Sequence, residues 1–224
     1  MQLVGREAPL HVRHEFGAWM EQGIQARRGT SGPEVVAELE TLLHNRLATL
    51  ADPDLTVDTE VRGPMESTVR LGTLLKLRLT DIWTHEQDIR EVLGRLGNLD
   101  SPGAATFVNG LVRSFAQLMH QVPMTDGQTV ILESTGPVTA RMGVRVSHDD
   151  AGEVTYHSLF TGESESGMGE TVHSGEDPST TISLSTEALT RRAAGRRATG
   201  DTAYSVVGDE DLAARVLDAI AFTP

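Results

Sequence analysis

Between residues 34 and 51 the chain reads "EVVAELETLLHNRLATLA". Val35, Leu39, Leu42, Leu43, Leu47 and Leu50 recur three or four positions apart, the repeat of one helical face. Pro33 suits a first helical turn, and Asp52-Pro53-Asp54 ends the run. "ESTVRLGTLLKLRLTDIWTHEQDIREVLGRLG" (66–97) predicts a second, longer helix ending at Gly94 or Gly97. "SPGAATFVNGLVRSFAQLMHQV" (101–122) opens on Ser-Pro and carries Phe107, Leu111, Phe115 and Leu118 on one face. Residues 12–28 form a further candidate helix.

After "PMTDGQ" (123–128) the pattern turns to short β-type stretches. "TVILEST" reads as a strand, and "ARMGVRVSHDDAGEVTYHSLF" reads as a hairpin turning at "HDDAGE". The Gly-, Ser- and Glu-rich stretch 161–179 reads as an exposed loop. A strand "TTISLS", a helix "TEALTRRAAG", a strand "AYSVVG" and a helix "DEDLAARVLDAIAF" capped by Asp209 complete the order. The expected architecture is therefore two-part. A helical domain (1–122) precedes a smaller α+β domain (123–224), with the change near Pro123.

The 66–97 helix carries the candidate chemistry. At about 100° per residue, Leu71, Leu75, Ile82, Ile89 and Leu93 define one stripe, flanked by Leu74 and Val92. Arg78 and His85 project into that stripe and Asp81 lies at its edge, while Trp83, Glu86 and Gln87 point elsewhere. Arg78 to Asp81 is i, i+3 and Asp81 to His85 is i, i+4, so these side chains meet along one face. Polar groups aimed at a core are costly unless paired or bound. Two readings follow. Either Asp81 accepts from Arg78 and His85 in a structural ion pair, or Asp81 and His85 hold a divalent ion such as Zn²⁺ acting as a Lewis acid.

Composition narrows the classes. The formal net charge is −13, which argues against a phosphate-backbone binder and hence against a nucleic-acid partner. No apolar run nears the roughly 20 residues that span a bilayer, and the N-terminus lacks a signal layout, so a cytoplasmic protein without a membrane partner is expected. Cysteine is absent. A metal would be held by His, Asp or Glu, and thiol chemistry would need a thiol from outside the chain.

"HVRHEFGAWME" (11–21), "RLTDIWTHEQDIREVLGRLGNLDSPGA" (78–104) and "VVGDEDLAARVLDAIAFTP" (206–224) closely resemble the mycothiol-dependent maleylpyruvate isomerase family of the DinB/YfiT-like metalloenzyme superfamily. The resemblance runs through most of the chain and is most specific around "DIWTHEQDIR". It implies a DinB-like helical bundle followed by a sterol-carrier-like α+β domain. It also implies that Asp81 and His85 are metal ligands and that mycothiol is the cofactor. In the family's reaction the metal holds the thiol as thiolate. The thiolate adds to an activated C=C bond, the new single bond rotates, and elimination gives the trans isomer. Arg78 is then the candidate group for steadying Asp81 or meeting a carboxylate of the small-molecule substrate. Family members draw a third ligand, a His, from a further N-terminal helix. Here the chain is expected to begin at or after that helix, with Gln2 near the place of the His and with His11 and His14 nearby but off the motif. An incomplete bundle would expose an apolar face suited to a homodimer. The alternative function is accordingly a non-catalytic ligand-binding or dimerisation module that has lost the complete metal site.

Other candidates are weaker. His44, His120, His148, His157 and His173 lack a ligand pattern. "GESESGMGE" has neither phosphate-loop spacing nor a following Lys, and no Gly-x-Ser-x-Gly elbow occurs.

Overall fold

The structure, a computed structural model, describes residue 12 and residues 15–149, 151–160 and 179–222. It is of the α+β class. The chain divides into two compact units, one reaching to Arg78 and the other starting at Leu79. The change of sequence pattern near Pro123 and the division into compact units thus fall at different places.

The first unit holds helix α1 (Glu15–Arg27) and helix α2 (Gly32–Leu50). At the start of α2, Ser31 N donates to Glu34 Oε2 at 2.9 Å, satisfying a backbone group that the helix leaves open. Arg27 of α1 clamps Glu38 of α2, with Nε to Oε2 at 2.8 Å. A short antiparallel hairpin follows, β1 (Glu60–Arg62) and β2 (Thr68–Arg70), pairing Val61 with Val69. The hairpin takes residues expected to be helical. Helix α3 therefore runs from Leu71 to Val92, not from 66. Its first backbone donors are met by the segment ahead of β1, Leu71 N to Thr59 O and Gly72 N to Val57 O, both at 2.8 Å.

In the second unit, helix α4 (Pro102–Met119) is capped by Ser101 Oγ, which accepts from Ala104 N at 3.3 Å. Five strands then build one sheet in the order β5-β4-β3-β6-β7. They are β3 (Thr129–Thr135), β4 (Ala140–His148), β5 (Val154–Leu159), β6 (Ser179–Ser185) and β7 (Tyr204–Val207). β3 and β6 run parallel and every other pairing is antiparallel. Helix α5 (Thr186–Ala193) follows β6, and helix α6 (Glu210–Ala219) follows β7. The β4–β5 hairpin and the Asp209 cap, which accepts from Leu212 N at 2.9 Å, match the sequence reading. The stretch 161–178, expected as a loop, lies outside the described residues.

Alternation along the strands sends Val130, Leu132, Val144, Val146, Ile182 and Leu184 to one face. There they pack in one cluster with Phe107, Leu111, Phe115 and Met119 of α4, Leu189 of α5, and Leu212, Val216 and Leu217 of α6. Arg192 is buried between the last two helices. Its Nε donates to Leu217 O at 2.8 Å and its Nη2 to Asp218 O at 3.2 Å, so a guanidinium closes the C-terminal carbonyls of α6.

The part of α3 in this unit corrects the expected face. Ile82 and Ile89 are 65% and 61% exposed, whereas Trp83, Thr84 and Gln87 are buried. The indole decides the rotation. It is 3% exposed, and its N–H donates to Asn98 O at 3.0 Å, so the polar edge is satisfied. Gln87 is satisfied in the same way by Gly97 O at 3.3 Å. Aliphatic spacing alone pointed to the opposite side.

Gly103 makes this seating possible: a Cβ there would lie 2.7 Å from Trp83 ring atoms. Gly103→Ala is expected to lower stability by about 1–3 kcal/mol, through forced displacement of the indole. Urea unfolding followed by Trp fluorescence measures it.

Candidate functional site

Asp81 and His85 sit a turn apart on α3. His85 Nε2 lies 3.6 Å from Asp81 Oδ1, and the two side chains are 57% and 46% exposed respectively. The inward aim expected of them is therefore not what the structure shows. The helix has turned Trp83 inward and left this pair on the half-open side. A separation of 3.6 Å is too long for an N–H···O hydrogen bond. It is close to the ~3.4 Å that separates two donors of a tetrahedral ion with bonds of about 2.1 Å. Arg78, one turn earlier, is exposed.

The other ring nitrogen of His85 has its own neighbour. Nδ1 lies 3.3 Å from Asp88 Oδ2. Asp88 is in turn gripped by two arginines. Arg191 Nη1 donates to Oδ1 at 2.6 Å, while Arg196 donates from Nε to Oδ1 at 3.2 Å and from Nη2 to Oδ2 at 3.2 Å. Arg191 also pairs with Glu91 through Nη2. Arg197 bridges onward, from Nη2 to Glu91 Oε1 at 2.9 Å and to Glu187 Oε1 at 2.6 Å. Three carboxylates thus face three guanidiniums, joining the last turns of α3 to α5 and the turn after it. Arg191 is the buried member, its side chain only 8% exposed, and its Nε has no partner among the described residues.

Burial works to raise the Asp88 carboxyl, but hydrogen bonds from Arg196 and Arg191, with their charges, outweigh it and hold the group below its ordinary value. The hydrogen bond from Arg197 leads in lowering Glu91; burial opposes it, and the charge and hydrogen bond of Arg191 bring the group below its ordinary value.

Sequence reasoning missed this network. Its signal was present in "RRAAGRR" (191–197), four arginines in seven residues after 45 positions without a Lys or Arg, and in Asp88 three residues past His85. His157, read as lacking a partner, has Ser147 Oγ at 2.7 Å from its Nε2 across β4 and β5. His120 stacks on Tyr156 with centroids 4.2 Å apart, and His44 and His148 are exposed. Gln2, His11, His14 and His173 lie outside the described residues. Among the described residues no group of three or more His, Cys, Asp or Glu side chains is placed to hold an ion. None of their helices is long and apolar enough to cross a membrane. A shallow, open depression of ≈ 340 Å³ on the sheet, lined by Glu133, Ser134, Thr135 and Arg141 among others, contains neither Asp81 nor His85. Comparison with protein-family models, curated proteins and solved structures finds no match.

The lowered Glu91 carboxyl gives stability a pH signature. Its contribution is complete above the ordinary Glu value of 4.5 and is lost as pH falls through the lower folded value. Glu91→Gln is expected to lower stability at neutral pH and to narrow the gap between neutral and acid stability. Urea midpoints at both pH values check it.

Proposed function

We propose that the chain is a divalent-metal-dependent, mycothiol-dependent isomerase or thiol transferase of the maleylpyruvate isomerase family, built from a DinB-like helical domain and a sterol-carrier-like α+β domain. The observation that carries the reading is the Asp81–His85 separation of 3.6 Å within "DIWTHEQDIR", wide for a hydrogen bond and suited to two donors of one ion. Asp81 and His85 would hold the metal, Zn²⁺ by the mix of carboxylate and imidazole. Bound there, the ion would supply Lewis acidity and favour the thiolate form of a low-molecular-weight thiol. The chain contributes no cysteine of its own, so the nucleophilic sulfur comes with the cofactor. Two protein donors leave positions for water and that sulfur. The half-open side of α3 gives a bulky thiol access to them. Arg78, exposed one turn before Asp81, is the group that would meet a carboxylate of the substrate.

Dialysed wild-type protein is expected to retain about one equivalent of Zn²⁺ by elemental analysis, and His85→Ala to lose it. Stoichiometric zinc in His85→Ala would refute the site assignment. Isomerisation of a cis-enedioic acid is expected only with added thiol.

One observation favours the second reading, a non-catalytic ligand-binding or dimerisation module. α2 has no buried residue, and Leu39, Leu42, Leu43 and Leu47 are all more than half exposed. Its signature would be a zinc-free dimer in sedimentation that Leu43→Glu splits into monomers.

A further inference from the structure

We propose that the chain pairs with a second copy of itself through α2, the two helices lying antiparallel across a two-fold axis at Leu43. The inference rests on the dimerisation part of the second reading above and gives it an orientation. It requires no metal.

The tie between α1 and α2 lies behind this face. Arg27 clamps Glu38 through both carboxylate oxygens, and Glu38 stands about 140° around the helix from Leu43. On the Leu43 side, Val36, Leu39, Leu43 and Leu47 are 55%, 64%, 56% and 58% exposed. At about 100° per residue these four and Leu50 all fall within about 40° of Leu43. An apolar stripe of this extent in water marks an interaction surface.

The stripe matches itself when reversed. About Leu43, Val36 mirrors Leu50, Leu39 mirrors Leu47, and the flanking Glu40 mirrors Arg46. An isologous pair needs this property, because one patch must fit its own copy. Charge selects the direction. Glu34, Glu38 and Glu40 lie in the first half of α2, whereas the second half holds Arg46 and no acid. Antiparallel packing sets each acidic half beside Arg46 of the second copy and opposes the two helix dipoles. Parallel packing would set acid on acid.

Area fixes the strength. With Leu42, also 55% exposed, five side chains offer roughly 80–100 Å² each, about 800–1,000 Å² for the pair of helices. Specific dimers begin at about 1,000 Å², so this one is weak and concentration-dependent.

Sedimentation of the full chain from micromolar to sub-millimolar concentration is expected to show monomer passing to dimer. The chain has no cysteine, so single introduced thiols report neighbours without background. Under mild oxidation Leu43→Cys, on the axis, is expected to give a covalent dimer. Val36→Cys alone is expected to give none, since its two copies lie roughly 21 Å apart, beyond the ~7 Å that a disulfide spans. Val36→Cys mixed with Leu50→Cys is expected to cross-link. None of these side chains is buried, so the substitutions leave the fold intact, which circular dichroism checks. Covalent dimer from Val36→Cys alone, or a sedimenting dimer that Leu43→Cys fails to trap, overturns the antiparallel geometry and leaves the dimerisation reading standing. A monomer at every concentration removes both and assigns the stripe to another occupant.

Discussion

A guanidinium buried without an anion is one of the costliest things a fold can contain. Arg191 meets that constraint with Asp88 and Glu91. Much else follows from where those two carboxylates must lie. They sit one turn apart on the last part of α3, so both reach Arg191 only if that side of the helix faces α5. Trp83 and Gln87 then turn toward the loop at 97–98 and the N-terminus of α4, where Asn98 O and Gly97 O receive their hydrogens. Asp81 and His85 are left on the half-open side. Polar and apolar demands agree on one rotation of the helix, and the placement of the candidate ligands is a consequence of it.

Exposure of the pair changes what its chemistry requires. A dry bundle core would charge the pair a full desolvation cost; with side chains 57% and 46% exposed, both groups keep much of their hydration. Accessibility also weakens the purely structural reading in which Arg78, Asp81 and His85 stabilise a core, because exposed ion pairs contribute little. His85 also has a carboxylate on its other side: Asp88, held by Arg191 and Arg196, lies 3.3 Å from Nδ1.

Much of this was legible in the chain. The helices α1, α2 and α4, the β4–β5 hairpin at "HDDAGE", strands β3, β6 and β7 and the Asp209 cap all follow from local spacing and turn chemistry, which need no knowledge of distant partners. The β1–β2 hairpin was hidden because "EVRGPMESTVR" runs directly into an amphipathic helix and its strands have only three residues each. The buried face of α3 was misread because equal weight on every aliphatic outvoted one tryptophan. The pair Asp81 and His85 could be found by spacing, but Asp88, Glu91 and the arginines of "RRAAGRR" could not be joined. Their partnership is set by how α5 lies on the sheet, and no periodicity encodes that.

The arginine partners of Asp88 and Glu91 lie 100 to 108 positions further along the chain. At ordinary rates of translation, the ribosome needs roughly 5–20 s to make that stretch. Through that interval a nascent chain already carries Asp88 and Glu91 but not yet the arginines that pair with them. The network that ties the end of α3 to α5 and the turn after it therefore closes only once residues 191–197 have emerged.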